Sequence, residues 1–196
     1  ATGVSAEIYR HLGIEDDREF PDAVSAQIQD EADATLHRYK GRDGIDQQVI
    51  HAAPPDLREP PYSCASEATA IEALSNAYYS IFREFVGSEL TRLRLVPLSA
   101  GDLSGRFAES MAELTALSIR GGFCQLNERD RRRMLDAASI ELCIYEEEHL
   151  EGYRQALKRL QGTVRGAGYK TPSGVFGRDL VAELELAAAE AEARGL

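Results

Sequence analysis

Apolar residues recur at steps of three and four along most of this chain, which is the spacing of one face of an α-helix. The first clear segment begins at Pro21, a residue type favoured at the first helical position, and it ends before Gly41. Its apolar stripe consists of Val24, Ile28, Ala32, Thr35 and Tyr39. We therefore predict a helix over residues 21–40, followed by a loop over residues 42–62 that contains two Pro-Pro pairs.

A wider apolar stripe predicts a second helix over residues 63–87. Ser63 or Ser66 is a suitable N-cap, and Gly87 is a suitable end. The residues of the stripe are Ile71, Leu74, Tyr78, Ile81, Phe82 and Phe85. The next segment, residues 89–98, alternates apolar and basic positions and fits either a short strand or a fraying helix end.

The second half of the chain opens with a variant of the capping box at Ser99–Asp102, which predicts a helix that runs through Ile119. Gly121 and Gly122 follow this helix and are expected to interrupt the helical structure of the chain, because glycine is a poor residue for a helix interior.

The longest helix is predicted from Asn127 to about Gln161. Asn127 with Asp130 three residues later is typical of a helix N-terminus, and apolar positions recur along the rest of the segment. A Gly-rich connection then leads to residues 179–194, an Ala/Glu/Leu-rich segment that strongly favours a helix.

These helices, with almost no strand pattern between them, predict an all-α fold: an antiparallel bundle of four main helices plus a C-terminal helix. Residues 1–165 would form the helical bundle, and residues 166–196 would form the Gly-rich connection and the terminal helix. That terminal helix would pack on the bundle, on a second copy of the chain, or on nothing.

Composition narrows the classes of partner. The 196 residues fit one domain, and 22 Lys and Arg against 33 Asp and Glu give a net charge of -11. This sign disfavours nucleic acid as a partner, because phosphate binding needs basic residues. No apolar run approaches the length of a membrane span, and the first ten residues lack a secretory pattern. Three cysteines without close pairing fit a reducing compartment, so we expect a cytoplasmic protein without a membrane partner.

One pair of residues carries a chemical signal. When the longest predicted helix is drawn at about 100° per residue, His149 lies between Leu142 and Tyr153 on the apolar face, with Glu146 beside it. A buried imidazole and carboxylate need a partner, because burial of an unpaired charge is costly. A metal ion is one such partner. The alternative is a core histidine that is hydrogen-bonded to a Glu or a Tyr.

The sequence around this pair, YEEEHLEGYRQAL, resembles a ligand helix of the ferritin-like superfamily. Bundles of that superfamily bind two metal ions through Glu-x-x-His pairs and single glutamates. The resemblance implies an iron or manganese site, used in an oxidase or oxygenase reaction, whose ligands are Glu31, Glu67, Glu113, Glu146 and His149. The chain departs from the family pattern at Glu67, which is followed three residues later by Ala70 and not by His. Whether the protein is an enzyme therefore stays open at this point.

A second resemblance implies a structural protein instead. The sequence IYRHLGIEDDREFPDAVSAQIQDEADATLHRYKGR is similar to the first helical segment of tailed-phage head–tail adaptor proteins, where a short helix and an acidic turn precede a long helix. That long helix ends near Tyr-x-Gly-Arg, which here is Tyr39–Arg42. This reading implies a non-enzymatic subunit, located in a virion, that forms a homo-oligomer or binds other members of an assembly.

Overall fold

The computed structural model describes residues 3–14, 20–40, 46–63 and 66–162, and the architecture given below is that of these residues. They form six α-helices and four short strands, and a 3-10 turn at Gly105–Ser110 precedes the fourth helix. The helices are α1 (Gly3–Leu12), α2 (Asp22–Ser25), α3 (Glu67–Gly87), α4 (Met111–Gln125), α5 (Glu128–Ala137) and α6 (Glu147–Gly162). The strands are β1 (Ala34–Lys40), β2 (Asp46–Ala52), β3 (Arg92–Leu95) and β4 (Ser139–Leu142).

The prediction of an all-α bundle is wrong, because the described residues form two small sheets as well as helices. In the first sheet β1 and β2 pair as an antiparallel hairpin from Ala34↔Ala52 to Lys40↔Asp46. This hairpin replaces the predicted helix over residues 21–40 and part of the predicted loop. Helix α2 ends at Ser25, and the chain turns before β1: Ala32 has a φ of 67°, and the Asp33 carboxylate accepts the N–H groups of Gln29 and Asp30.

The second sheet interrupts the predicted longest helix. That segment folds as α5, then β4, then α6, and β4 pairs in parallel with β3 from Arg92↔Ser139 to Leu95↔Leu142. The side chains of both strands alternate between the two faces of the sheet. Leu95 and Leu142 face the core, while Glu141 accepts hydrogen bonds from two arginines of β3 on the other face. The segment 139–142 therefore forms a strand. Its pairing with β3 outweighs the helical preference of the flanking residues.

Two of the predicted helix starts are confirmed. Helix α3 spans Glu67–Gly87, and the Ser66 side chain accepts the Thr69 N–H group as an N-cap. Asn127 caps α5, since its Oδ1 accepts the Asp130 N–H group at 3.0 Å. The third predicted helix start is wrong. Residues 99–104 form a loop, and the helix that was predicted to begin there begins at Met111.

Gly121 and Gly122 lie inside α4, so the predicted interruption of helical structure at these two residues is wrong. A Cβ on Gly122 would lie 2.7 Å from the Tyr79 backbone nitrogen and 2.8 Å from the Ser75 carbonyl oxygen. The glycines therefore allow α4 to pack almost directly against the backbone of α3.

Two clusters of buried side chains hold these elements together. The larger cluster includes Tyr78, Phe82 and Phe85 of α3 and joins this helix to the parallel strand pair and to α4, α5 and α6. The smaller cluster lies around Leu57 and Phe107, under the segments that follow β2 and β3. None of the described helices has an apolar stretch that could cross a bilayer. The predicted boundary at residue 166 and the terminal helix lie outside the described residues.

Candidate functional site

Three segments that follow strands meet at one edge of the molecule, which we call the carboxyl edge: residues 53–58 after β2, 96–105 after β3 and 143–149 after β4. Because β3 and β4 are parallel, their carboxyl ends lie side by side. The Cys143 N–H group extends this pairing by donating to the Leu95 carbonyl at 2.7 Å. The edge is thus built by the strand pairing itself.

Hydrogen bonds fix the loop after β3 against the segment after β2. The buried Ser99 hydroxyl donates to the Pro55 carbonyl at 2.7 Å, and the Leu57 N–H group donates to the Leu103 carbonyl at 3.0 Å. Ser99 and Gly105 both have a positive φ, 56° and 54°. A residue with a side chain at Gly105 would place its Cβ 3.1 Å from the Leu57 carbonyl oxygen, so the loop has little freedom there.

The tip of this loop presents backbone donors to solvent. Within the described part of the chain, the N–H groups of Ala100, Gly101 and Asp102 donate to no acceptor, and the last two residues are exposed. Nothing lies within 4 Å of the position that a Gly101 Cβ would take. The loop then leads into the 3-10 turn Gly105–Ser110, and α4 begins at Met111.

Two exposed arginines flank the loop. Arg58 donates two hydrogen bonds to Asp56, of 2.9 Å from Nε and 2.6 Å from Nη2, and this guanidinium lowers the pKa of the Asp56 carboxyl. Asp102, at the loop tip, also interacts with Arg58. The Arg106 guanidinium lies 4.8 Å above the Phe107 ring. The edge therefore combines free backbone donors with two cationic side chains.

The Glu146 and His149 pair lies at the same edge, just after β4. The His149 Nδ1 atom is 2.8 Å from Glu146 Oε2, and the two side chains are 56% and 55% exposed. The prediction that this pair lies on a buried helix face is wrong, because α6 begins only at Glu147 and its first turn projects into solvent. Tyr153 and Leu157, further along α6, are the residues that face the core.

The structure brings Glu148 to this pair but not the other predicted ligands. Ligand atoms of Glu146, Glu148 and His149 lie within 4.8 Å of one another, and among the described residues this is the one group of three such side chains. The remaining three predicted ligands have other contacts: Glu113 pairs with Arg159 at 2.8 Å, Glu31 accepts the Asp56 N–H group at 3.2 Å, and Glu67 is in the exposed first turn of α3. The role of all five as metal ligands stays a prediction.

A second polar cluster, which the sequence did not reveal, lies inside the hairpin. His51 is buried, its Nε2 is 2.7 Å from the Tyr39 hydroxyl, and its Nδ1 is 3.3 Å from the Tyr9 hydroxyl. The rings of Phe20 and His37 pack on the edges of this group. Burial lowers the pKa of His51 to about 4 and raises the pKa of Tyr39 to about 12. Both ring nitrogens are thus engaged by neutral partners, which is the arrangement of a structural histidine.

Comparison of the chain with models of known families, with curated proteins and with solved structures gives no significant match. The capping-box variant at Ser99–Asp102 predicts a helix start, but in the structure these residues belong to the loop between β3 and the 3-10 turn. His51 could not be recognised from the sequence pattern. The hairpin pairs His51 with Thr35, and its hydrogen-bond partner Tyr39 lies four residues further along β1, so the contact forms only when the hairpin forms.

Proposed function

We propose that the protein is a binding module for a small molecule that carries a phosphate or carboxylate group, and that the ligand binds at the carboxyl edge. Ligands of proteins with parallel strands commonly bind outside the carboxyl ends of those strands. The observation that carries the proposal is the loop after β3, which is fixed by Ser99 and Gly105 and presents the N–H groups of residues 100–102 to solvent.

An anionic group fits this loop better than a neutral one. Consecutive backbone N–H groups form a favourable environment for an anion. Arg106 is an exposed cation in the following turn, and Arg58, which is paired with Asp56, lies against Gly105. The net charge of -11 repels anions from the molecule as a whole, so saturable anion binding would come from these local donors.

A nuclear magnetic resonance titration of the full chain tests this proposal. The probes are inorganic phosphate, pyrophosphate and adenosine monophosphate, with chloride as a control for ionic strength. We expect saturable shifts of the amide signals from residues 98–106 with at least one phosphate compound, because these are the amides that would donate to the anion. Chloride at the same ionic strength should leave them nearly unchanged.

Two glycine variants form a matched pair for this experiment. Gly101→Glu places a carboxylate at the loop tip, and we expect it to weaken binding by about tenfold or more through like-charge repulsion. Gly87→Glu makes the same chemical change at the end of α3, where the added Cβ also has open space, and it should bind as the unchanged chain does. Equal affinity of the Gly101→Glu variant, or shifts that avoid residues 98–106, would contradict the proposal.

A second candidate function is the binding of a divalent cation by Glu146, Glu148 and His149. It is favoured by the three ligand atoms within 4.8 Å. Two carboxylates and one imidazole suit manganese, zinc or iron, and water would complete the coordination of such an open site.

Calorimetric titration of the full chain with Mn²⁺ and with Zn²⁺ tests this second candidate. We expect one site whose affinity falls by about tenfold or more in His149→Gln, since a ligand is lost. His11→Gln, which replaces an exposed histidine of α1, is the control. Binding that His149→Gln leaves unchanged would rule out this group of residues as the site.

A further inference from the structure

An apolar groove runs between α4 and α6, on the side of α4 away from α3. Its floor is formed by the small buried residues Ala116 and Ala156, and its walls by Leu117 and Leu160. The groove has a volume of about 230 Å³, and its lining combines alanine and leucine side chains with three charged residues at the rim. Leu117 is half-buried and, among the described residues, belongs to neither of the two core clusters.

The ends of the groove are charged. The Glu113–Arg159 ion pair, at 2.8 Å, closes one part of the rim. Arg120 lines another part and pairs with no carboxylate of the described residues. A helix that places small apolar side chains on the floor and an acidic residue beside Arg120 would complete both the apolar and the ionic contacts of this surface.

We propose that the C-terminal segment of this same chain, residues 179–194, docks as a helix in this groove. The segment has apolar residues at helical spacing, several of them alanines that suit an alanine-lined floor: Leu180, Val181, Leu184, Ala188 and Ala191. Glu185 and Glu192 flank this stripe, on the side where they would reach a basic rim.

Chain geometry favours this occupant over an unrelated partner. Helix α6 ends at Gly162, two residues after the groove residue Leu160, so the chain leaves α6 beside the groove. Residues 163–178 provide a connection that spans up to roughly 50 Å when extended, which is enough to turn back along a helix. A tethered segment also needs little intrinsic affinity, because its effective concentration is high.

Hydrogen exchange of the full chain, followed by mass spectrometry, tests the docking. A sixteen-residue helix is only marginally stable by itself, so strong protection of residues 179–194 requires docking. We expect their amides to exchange about tenfold or more slowly than those of an unstructured peptide. Leu117→Asp should remove most of this protection, whereas Leu90→Asp, at an exposed leucine just before β3, should leave it unchanged.

A charge variant keeps the test decisive if Leu117→Asp fails to fold. Arg120→Glu removes the basic rim, and we expect it to speed exchange of residues 179–194, with partial recovery in the Arg120→Glu, Glu185→Arg double variant. Absence of protection in the unchanged chain would overturn the proposal, as would protection that neither groove variant alters. Protection that appears only at concentrations where light scattering shows a dimer would assign the groove to a second copy instead.

Discussion

At the scale of single residues, His51 shows how burial determines the protonation state of a side chain. A neutral imidazole has one donor and one acceptor nitrogen, so one of the two tyrosine hydroxyls donates to the ring and the other accepts from it. A protonated ring would have two donors facing two tyrosine hydroxyls, and burial, with a smaller contribution from His37, lowers the pKa of His51.

This lowered pKa makes the fold sensitive to moderate acid. The unfolded chain binds a proton at His51 below pH 6.5, whereas the folded chain binds it only near pH 4. The free energy of unfolding therefore falls as the pH decreases between these values, by about 3 kcal/mol in total. Chemical denaturation at several pH values measures this loss.

The variant His51→Gln isolates the contribution of the imidazole. It should be less stable at pH 7, but its free energy of unfolding should fall less between pH 6.5 and 4. His149→Gln is the control, because it replaces an exposed histidine and leaves the contacts with Tyr9 and Tyr39 intact. Parallel pH profiles of His51→Gln and the unchanged chain would show that His51 does not titrate as the geometry predicts.

At the scale of secondary-structure elements, helices α3 and α4 pack at very short range where Gly122 faces α3. A Cβ at Gly122 would meet backbone atoms of α3 at 2.7 and 2.8 Å, and backbone atoms cannot rotate away as side chains can. The buried residues of both helices, Tyr78 and Phe123 among them, depend on this close approach.

We therefore expect Gly122→Ala to destabilise the protein by about 2 to 3 kcal/mol, the cost of forcing two packed helices apart. Thermal and denaturant unfolding measure the change. Gly87→Ala is the matched control, since a Cβ there meets nothing within 4 Å, and its effect should be below about 1 kcal/mol. A Gly122→Ala variant as stable as Gly87→Ala would mean that α4 packs less closely on α3 than described here.

The strands were harder to predict than the helices, for a reason that β1 and β4 make clear. Thr35 and Tyr39 fit a helical stripe at steps of three and four, yet both are buried residues of the strand β1. The strand β4 has only four residues, too few to produce a period of its own. Both strands are stabilised by their partners. The partner of β1 is Asp46–Ala52, at 6 to 18 residues along the chain, and the partner of β4 is β3, at 47 residues, so a pattern read over three or four positions records neither pairing.

At the scale of the whole molecule, the parallel pairing of β3 with β4 brings the segments that follow both strands to the same edge. The smaller core cluster, which includes Leu57 and Phe107, packs against Leu98 and Ala100 of the loop after β3. A small cavity near Leu90 and Met134 lies at the opposite end of the same strands. The proposed ligand and the second candidate cation would share the carboxyl edge.

The sequence by itself determined the features that depend on neighbouring residues: the long amphipathic helix α3, the N-caps at Ser66 and Asn127, and the acidic net charge. The helix and its caps depend on residues three or four positions apart, and the net charge depends on composition alone, so the sequence is enough to predict them. Only the tertiary structure decided the strands, the burial of His51 and the exposure of Glu146 and His149. The strands and the burial of His51 depend on pairing and contacts that form only when the chain folds, and their free energy outweighs the local helical preference. Glu146 and His149 are exposed because α6 begins at Glu147 and its first turn lies at the surface.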